Sequence, residues 1–462
     1  MDTLKIKFLL PVYALIALFT VFCFDGVGDT GDSVMHYLFA KYAPWHPELF
    51  FDHWAKPMFV ILSSPFAQFG MKGMKLFNVI CLLGNLYFAV RVAEALKLKL
   101  AWAASIFIFF APLCFTLTFS GLTEPLFAFW LTVFLFFEVV KQKHIIAALW
   151  VSFLPFVRSE GLIILIPVGL YYLLDKRFLA LLLLGAGHVI MGLAGSFVYG
   201  TVFWVITKIP YTGSGSYGSG KLFHFVHQLF YVIGLPIYGL LLFGFISGLV
   251  KSDVRRNRAM FILIMGGFAL FFAAHSLFWY FGLFHSFGLK RVMVAVIPLI
   301  SLIALIGLNT LNDALNKIPK WQKGVVVFIV ALTVIFPLLG TPSSIHWKKD
   351  LGKEPVQDVC EQVGTYFSKR GGIAGKFCYA SPYLSETLNV DYFNPSQHVM
   401  PGDMDIKNLV PGDYLIWDFW FCPVEFGMTL ERLQNEYGLS VVKEFVAKSD
   451  SDVRFVILTR SK

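Results

Sequence analysis

Long apolar stretches separated by short polar segments run from residue 8 to residue 340. They fall at approximately 8–24, 75–95, 101–119, 125–140, 145–157, 161–174, 178–199, 225–249, 259–281, 291–310 and 324–340. A helix needs about 20 apolar residues to cross the hydrocarbon core, so the pattern predicts roughly eleven membrane spans. The stretches 145–157 and 161–174 are short for a perpendicular crossing and are expected to tilt, to extend into their neighbours or to be partly re-entrant. After Gly340-Thr341-Pro342 the pattern changes. Residues 354–369 predict an amphipathic helix, and 429–437 a second helical stretch. Short apolar runs at 376–380, 413–418, 440–446 and 453–459 predict strands, with Pro-Gly turns at 401–402 and 411–412. The expected fold class is mainly α. A polytopic transmembrane helical bundle occupies 1–342, and a small α/β domain occupies 343–462. No repeat at fixed spacing is evident, and the Gly/Ser-rich stretch 212–220 is expected to be a mobile loop.

Composition sharpens this picture. Hydrophobic residues make up 57% of the chain and charged residues 15%, against about 25% charged in soluble domains. That excludes an ordinary soluble enzyme. The net charge of +9 would suit nucleic acid only if the basic residues formed one face. They are scattered between apolar runs instead, which argues for membrane topology and against a nucleic-acid partner. Basic residues gather in alternate short loops, among them Lys5, Lys7, Lys97, Lys99, Lys141, Lys143, Arg255, Arg256 and Arg258. With those loops in the cytoplasm, the loop 25–74 and the tail from Ser343 lie outside it. The first apolar run ends without a small-residue cleavage site, as an uncleaved signal anchor does. Cys23, Cys81 and Cys114 lie in apolar segments and are expected to pack. Cys360, Cys378 and Cys422 lie in the tail, where one disulfide would leave one thiol over.

Four polar clusters carry candidate chemistry. The first outer loop contains Gly28-Asp29-Thr30-Gly31-Asp32, His36, His46 and then Asp52-His53-Trp54-Ala55-Lys56-Pro57. A carboxylate at a membrane surface can take a proton from a sugar hydroxyl, a lysine can meet a phosphate, and a Trp can stack on a sugar. The plainer alternatives are an aromatic belt for Trp45 and Trp54, and helix capping for Asp29 and Asp32. The second cluster is Thr123-Glu124-Pro125, where Glu124 either faces a polar cavity or complements a helix dipole. The third is Arg158-Ser159-Glu160-Gly161, an outer turn whose two charges either pair or line a cavity. The fourth runs from His275 to Arg291 and includes His285, Lys290 and Arg291. Cations there either hold a phosphate or snorkel to headgroups. The three loop histidines match no helical i, i+4 ligand spacing, so spacing names no metal.

In these motifs, their order and their common side, residues 8–310 resemble the GT-C membrane glycosyltransferases. That class includes dolichyl-phosphate-mannose-dependent mannosyltransferases and bacterial polyprenyl-phosphate-sugar transferases. The motifs are the acidic first loop with its Asp52–Pro57 run, Thr123-Glu124-Pro125, Arg158-Ser159-Glu160-Gly161, and Gly288-Leu289-Lys290-Arg291 before Pro298. The resemblance implies inverting transfer of a sugar, mannose by default, from a polyprenyl- or dolichyl-phosphate donor to a hydroxyl of a glycan, lipid or protein acceptor. It implies a first-loop Asp as base, Asp29 first and Asp32 second, beside which Glu124 with Thr123 either contacts an acceptor hydroxyl or assists the base. Lys56, Arg158 and Arg291 would stabilise the departing lipid phosphate, and His36, His53, Trp54, Glu160, His285 and Lys290 would complete substrate binding. Members of the class differ in metal use, so a divalent metal stays open and no other cofactor is expected. Trp417-Asp418-Phe419-Trp420 in the tail either touches a glycan or fills a strand core. The expected location is a bacterial inner membrane, with the endoplasmic reticulum as the alternative. A secondary transporter would call for repeated halves and broken helices at the bilayer midplane, and a scaffold would not need the first-loop acids.

Overall fold

The computed structural model describes residues 2–210, 218–371 and 375–460. Most of the loop expected at 212–220 therefore lies outside the described residues. Among those described, seven helices are long and apolar enough to cross a membrane. They are Lys5–Cys23, Gly70–Ala95, Phe178–Tyr199, His224–Val250, Ala259–Phe281, Lys290–Ala314 and Trp321–Leu338. Shorter apolar helices occupy Pro57–Ala67, His144–Val157 and Gly161–Leu174. The roughly eleven stretches thus resolve into seven full-length helices and shorter pieces. The stretch at 101–119 breaks into Ala103–Phe109 and Pro112–Thr118, because Pro112 has no N–H to continue the ladder. The stretch at 125–140 is the helix Glu124–Leu135, closed by a π-turn over Phe136–Val140.

The centre of the bundle is the helix Ile297–Ala314, entered through a 3₁₀ turn at Lys290–Val296. It is buried from Ile297 to Asn309 on every side, so its apolar positions show no polar stripe. Its main neighbour, His224–Val250, kinks at Gly234 (φ 74°) just before Pro236. The two helices touch backbone to backbone. A Cβ on Gly307 would come within 2.4 Å of the Leu240 carbonyl oxygen, and one on Gly244 within 2.0 Å of that of Ile303. Phe8, Leu15, Leu182, Phe197 and Ile246 point outward and exposed, as lipid-facing residues do.

The C-terminal unit is a five-stranded sheet that runs, edge to edge, His398–Val399, Phe377–Tyr379, Tyr414–Asp418, Arg454–Arg460 and Leu439–Val446. The strands are β1 (Phe377–Tyr379), β2 (His398–Val399), β3 (Tyr414–Asp418), β4 (Leu439–Val446) and β5 (Arg454–Arg460). Strand β1 runs parallel to β2 and β3, while β5 is antiparallel to β3 and β4. Alternation along the strands builds two cores. Phe377, Tyr379, Ile416, Phe455 and Ile457 pack against the helix Pro355–Ser368. Cys378, Leu415, Trp417, Val456 and Leu458 pack on the other face with Ile406 and Leu433. Four strands fall where the apolar runs predict them. The two-residue β2 is too short to leave a pattern. Cys360, Cys378 and Cys422 are buried free thiols, so the structure holds no tail disulfide among them. Cys81 and Cys114 are buried as expected, whereas Cys23 is exposed rather than packed.

This unit sits on the loop 25–74. Gly26 N–H donates to the Leu351 carbonyl (2.9 Å), and a Cβ at Gly26 would collide with that oxygen. Glu386 receives Tyr37 Oη (2.6 Å) and Lys41 Nζ (2.5 Å), and His46 Nε2 lies 2.8 Å from Asp391 Oδ2. Phe39 meets Phe393 edge to face.

Candidate active site

The first loop reaches the bundle through close backbone contacts. Gly28 adopts φ 77°, and a Cβ there would come within 2.7 Å of Ser120 Cβ. Ser33 Oγ donates to the Val27 carbonyl (2.6 Å) and accepts from Gly121 N–H (2.7 Å). That clamp lays Asp29 and Asp32 beside the turn that opens the helix Glu124–Leu135. Asp32 begins the helix Asp32–Tyr42 without capping it. Both aspartates turn to Arg291 instead. Asp29 Oδ1 accepts from Gly31 N–H (2.7 Å), and its Oδ2 accepts from Arg291 Nη1 (2.7 Å). Arg291 Nη2 donates to Asp32 Oδ2.

The network continues inward. Arg291 Nε lies 3.5 Å from Glu124 Oε1, and Arg158 Nη1 lies 2.9 Å from the same oxygen. Arg158 also donates to Thr123 Oγ1 (2.8 Å) and to Glu160 Oε1 (2.6 Å). Glu124 is fully buried, at the first residue of its helix with Pro125 second, a position that complements the helix dipole while its carboxylate meets two guanidinium groups. Lys56 Nζ donates to Ser159 Oγ (3.2 Å) and to the His53 carbonyl (3.1 Å). Lys56 holds φ 69° at the head of the helix Pro57–Ala67, an unfavourable conformation for a side-chain residue. Seven charged residues from four separate parts of the sequence therefore form one connected group.

Burial tunes the groups around it. Lys56 is pushed down to about 8, first by burial and further by Arg158, against the pull of Glu160. Burial drives His36 down to about 3, so the ring is neutral at ordinary pH. Burial alone would raise Glu160, but Arg158, His275 and Lys56 outweigh it and hold the carboxyl at about 2. His36 stacks on Trp54 with ring centroids 4.7 Å apart, at the edge of the network. His53 turns elsewhere: its Nε2 lies 3.0 Å from the Val205 carbonyl, and burial lowers it to about 4. His285 sits in a left-handed turn at φ 52°, and Lys290 lies over the Tyr231 ring at 5.7 Å. The structure does not bring those two to the carboxylates.

Sequence reasoning missed Glu354. Glu354 bonds to Thr30 in the turn between the two aspartates. Burial and then Asp29 push it up to about 7. It carries no local signature, because it arrives by docking, whereas Asp418 belongs to the run Trp417–Trp420 that the sequence singles out. Among the described residues no three His, Cys, Asp or Glu side chains are placed to hold one metal ion.

No family model and no curated protein matches the chain. Two solved structures do, both of ArnT from Cupriavidus metallidurans. The one bound to undecaprenyl phosphate superposes with a TM-score of 0.64 at 11% identity, covering 98% of this chain and 97% of that one. The apo structure gives 0.61 at 12% identity, covering 98% of each. From end to end the chain has the fold of ArnT, the GT-C architecture that the order of its polar motifs resembles.

Proposed function

We propose that the chain is an inverting membrane glycosyltransferase. It moves a sugar from a polyprenyl-phosphate donor to an acceptor hydroxyl on the extracytoplasmic side. Residues 1–342 carry the chemistry, and 343–462 cover it. The observation that carries this is the Arg291 bridge, which holds two candidate bases on one guanidinium inside an ArnT-like fold. Undecaprenyl phosphate is the ligand of the matched ArnT, which supports a lipid phosphate here.

The charges suggest the order of events. Asp29, Asp32, Glu124 and Glu160 face Lys56, Arg158 and Arg291, an excess of one negative charge before any phosphate arrives. An incoming phosphate is repelled unless it takes Arg291 from a carboxylate. Asp29 is then released to act as the base. The acceptor oxygen attacks the anomeric carbon as Asp29 takes its proton. The bond from that carbon to the phosphate oxygen breaks, and its electron pair leaves with the phosphate. One displacement inverts the centre. Arg291, Arg158 and Lys56 hold the growing charge. Glu124 and Glu160 keep Arg158 aimed.

The direct test is label transfer by purified protein in nanodiscs, from radiolabelled polyprenyl-phosphate sugars, mannose first, to acceptors in membrane extract. Label in product supports the reading. Folded protein that transfers from no donor overturns it and favours the transporter. A pH profile adds a second check. Lys56 is charged below about 8 and neutral above it, so donor KM is expected to rise as pH passes 8. Lys56→Arg should move that limb out of range, since Arg stays charged. His36, already neutral, should give no limb between pH 5 and 8.

A further inference from the structure

Asp29 separates two unlike environments. One oxygen faces Arg291, on the cationic side. The turn Asp29-Thr30-Gly31 itself lines a cavity of about 210 Å³ against the C-terminal sheet. The far wall lies at the carboxyl ends of the parallel strands: Ser381 follows β1, and Asp418 ends β3. In the order 2-1-3 the chain passes from β1 to β2 on one side and then crosses over to β3 on the other, so β1 and β3 flank the topological switch point. Ligands of open α/β sheets bind in that crevice.

The wall is built to receive polar atoms. Asp418 Oδ1 accepts from the N–H groups of Trp420 (3.0 Å) and Phe421 (2.5 Å). Its Oδ2 and Ser381 Oγ are buried with no well-formed hydrogen bond; the Cys422 backbone and thiol lie near the first and the Cys360 thiol near the second. Such orphaned groups are costly unless a ligand completes them. Beside them Trp420 is exposed, and the Phe421 ring packs on Gly31, 3.2 Å from where its Cβ would stand. Among the described residues no Lys or Arg lines this cavity, and Glu354 adds a further acid next to Thr30.

We infer that this crevice is the acceptor subsite and that it takes an uncharged, hydroxylated sugar ring rather than a phosphorylated one. The inference rests on the transferase reading and deepens it. Carboxylates accept from sugar hydroxyls, aromatic faces cover the ring's C–H surface, and a phosphate would meet only like charge. The cavity lies below the roughly 300–1,000 Å³ of drug-sized sites, which suits a single ring. The ring's free hydroxyl then lies beside Asp29, opposite the donor phosphate.

The experiment is saturation-transfer NMR on the full chain in nanodiscs, with methyl glycosides of mannose, glucose, galactose and arabinose as probes. The same sugars carrying a phosphate are run in parallel, and retention of undecaprenyl phosphate is measured separately by native mass spectrometry. At least one neutral glycoside is expected to receive saturation, and its phosphate to receive none. Trp420→Ala and Asp418→Asn should weaken the glycoside at least about tenfold while undecaprenyl phosphate is retained. Asp418→Asn keeps the oxygen that the two backbone N–H groups need, so folding is preserved. No glycoside signal in the native protein, equal binding by the phosphates, or unchanged binding in both variants overturns the inference. Loss of undecaprenyl phosphate binding or of label transfer in the native protein, with glycoside binding intact, would instead overturn the donor reading.

Discussion

Arg158→Ala is expected to destabilise the protein by about 3–5 kcal/mol, the range for breaking a buried ion pair from one side. The guanidinium serves Glu124, Glu160 and Thr123 together. Its removal leaves Glu124, which has no solvent exposure, with only the 3.5 Å approach of Arg291 Nε. Glu160 loses the group that holds it at about 2, so burial then drives its pKa upward. The sign follows from linkage. Glu160 is depressed in the folded state, so its stabilisation is present above the usual carboxylate range and lost as pH falls towards 2. In Arg158→Ala that dependence should shrink, and reverse if burial lifts Glu160 above its unfolded value. Thermal unfolding in detergent at several pH values reads both effects. Adding Glu124→Gln to Arg158→Ala should recover part of the loss, because a neutral amide is cheaper to bury than a carboxylate. An unchanged unfolding midpoint in the single variant would show that water or lipid headgroups already screen the pair.

The sequence made some of this network legible and hid the rest for identifiable reasons. Charge beside apolar helices is expensive, so Glu124, Arg158 and Arg291 stood out from their surroundings. Asp29 and Asp32 stood out because a mere connector has no use for so many polar groups. Lys290 and Arg291 are adjacent, and nothing local decides which one turns inward. The 3₁₀ turn over Lys290–Val296 decides it, sending Lys290 over Tyr231 and Arg291 to the aspartates. His285 was out of reach for a similar reason, since its left-handed turn is not written in its neighbours. The run Trp417–Trp420 is split by the end of β3 at Asp418: Trp417 fills a core within the strand, and Trp420, beyond it, stays exposed. Glu354 and Asp418 meet the first loop only after the tail has docked, across hundreds of residues of sequence. The break at Pro112 was readable, yet an apolar stretch on either side masked it.

Asp29→Asn is expected to lower kcat by about 10²–10⁴, the usual worth of a positioned general base, while donor KM stays level or falls. The split follows from what each oxygen does. Oδ1 accepts from Gly31 N–H, which an amide oxygen does equally well, so the turn keeps its shape. Oδ2 receives Arg291. An NH₂ group there offers Arg291 nothing, so the guanidinium becomes easier for a phosphate to take, and donor binding improves as proton transfer is lost. Asp32→Asn also frees Arg291 but leaves Asp29 ionised. Its kcat should fall far less, by about tenfold at most, if Asp29 is the base. Steady-state kinetics on a polyprenyl-phosphate sugar measures both variants. Native mass spectrometry of undecaprenyl phosphate confirms that Asp29→Asn still binds the lipid. The reverse pattern, with Asp32→Asn the crippled variant and Asp29→Asn near normal, would transfer the base to Asp32. Asp29 would then be left as the group that parks Arg291 until a phosphate arrives, and the acceptor would approach from the side of the helix Asp32–Tyr42 rather than from the crevice below β1 and β3.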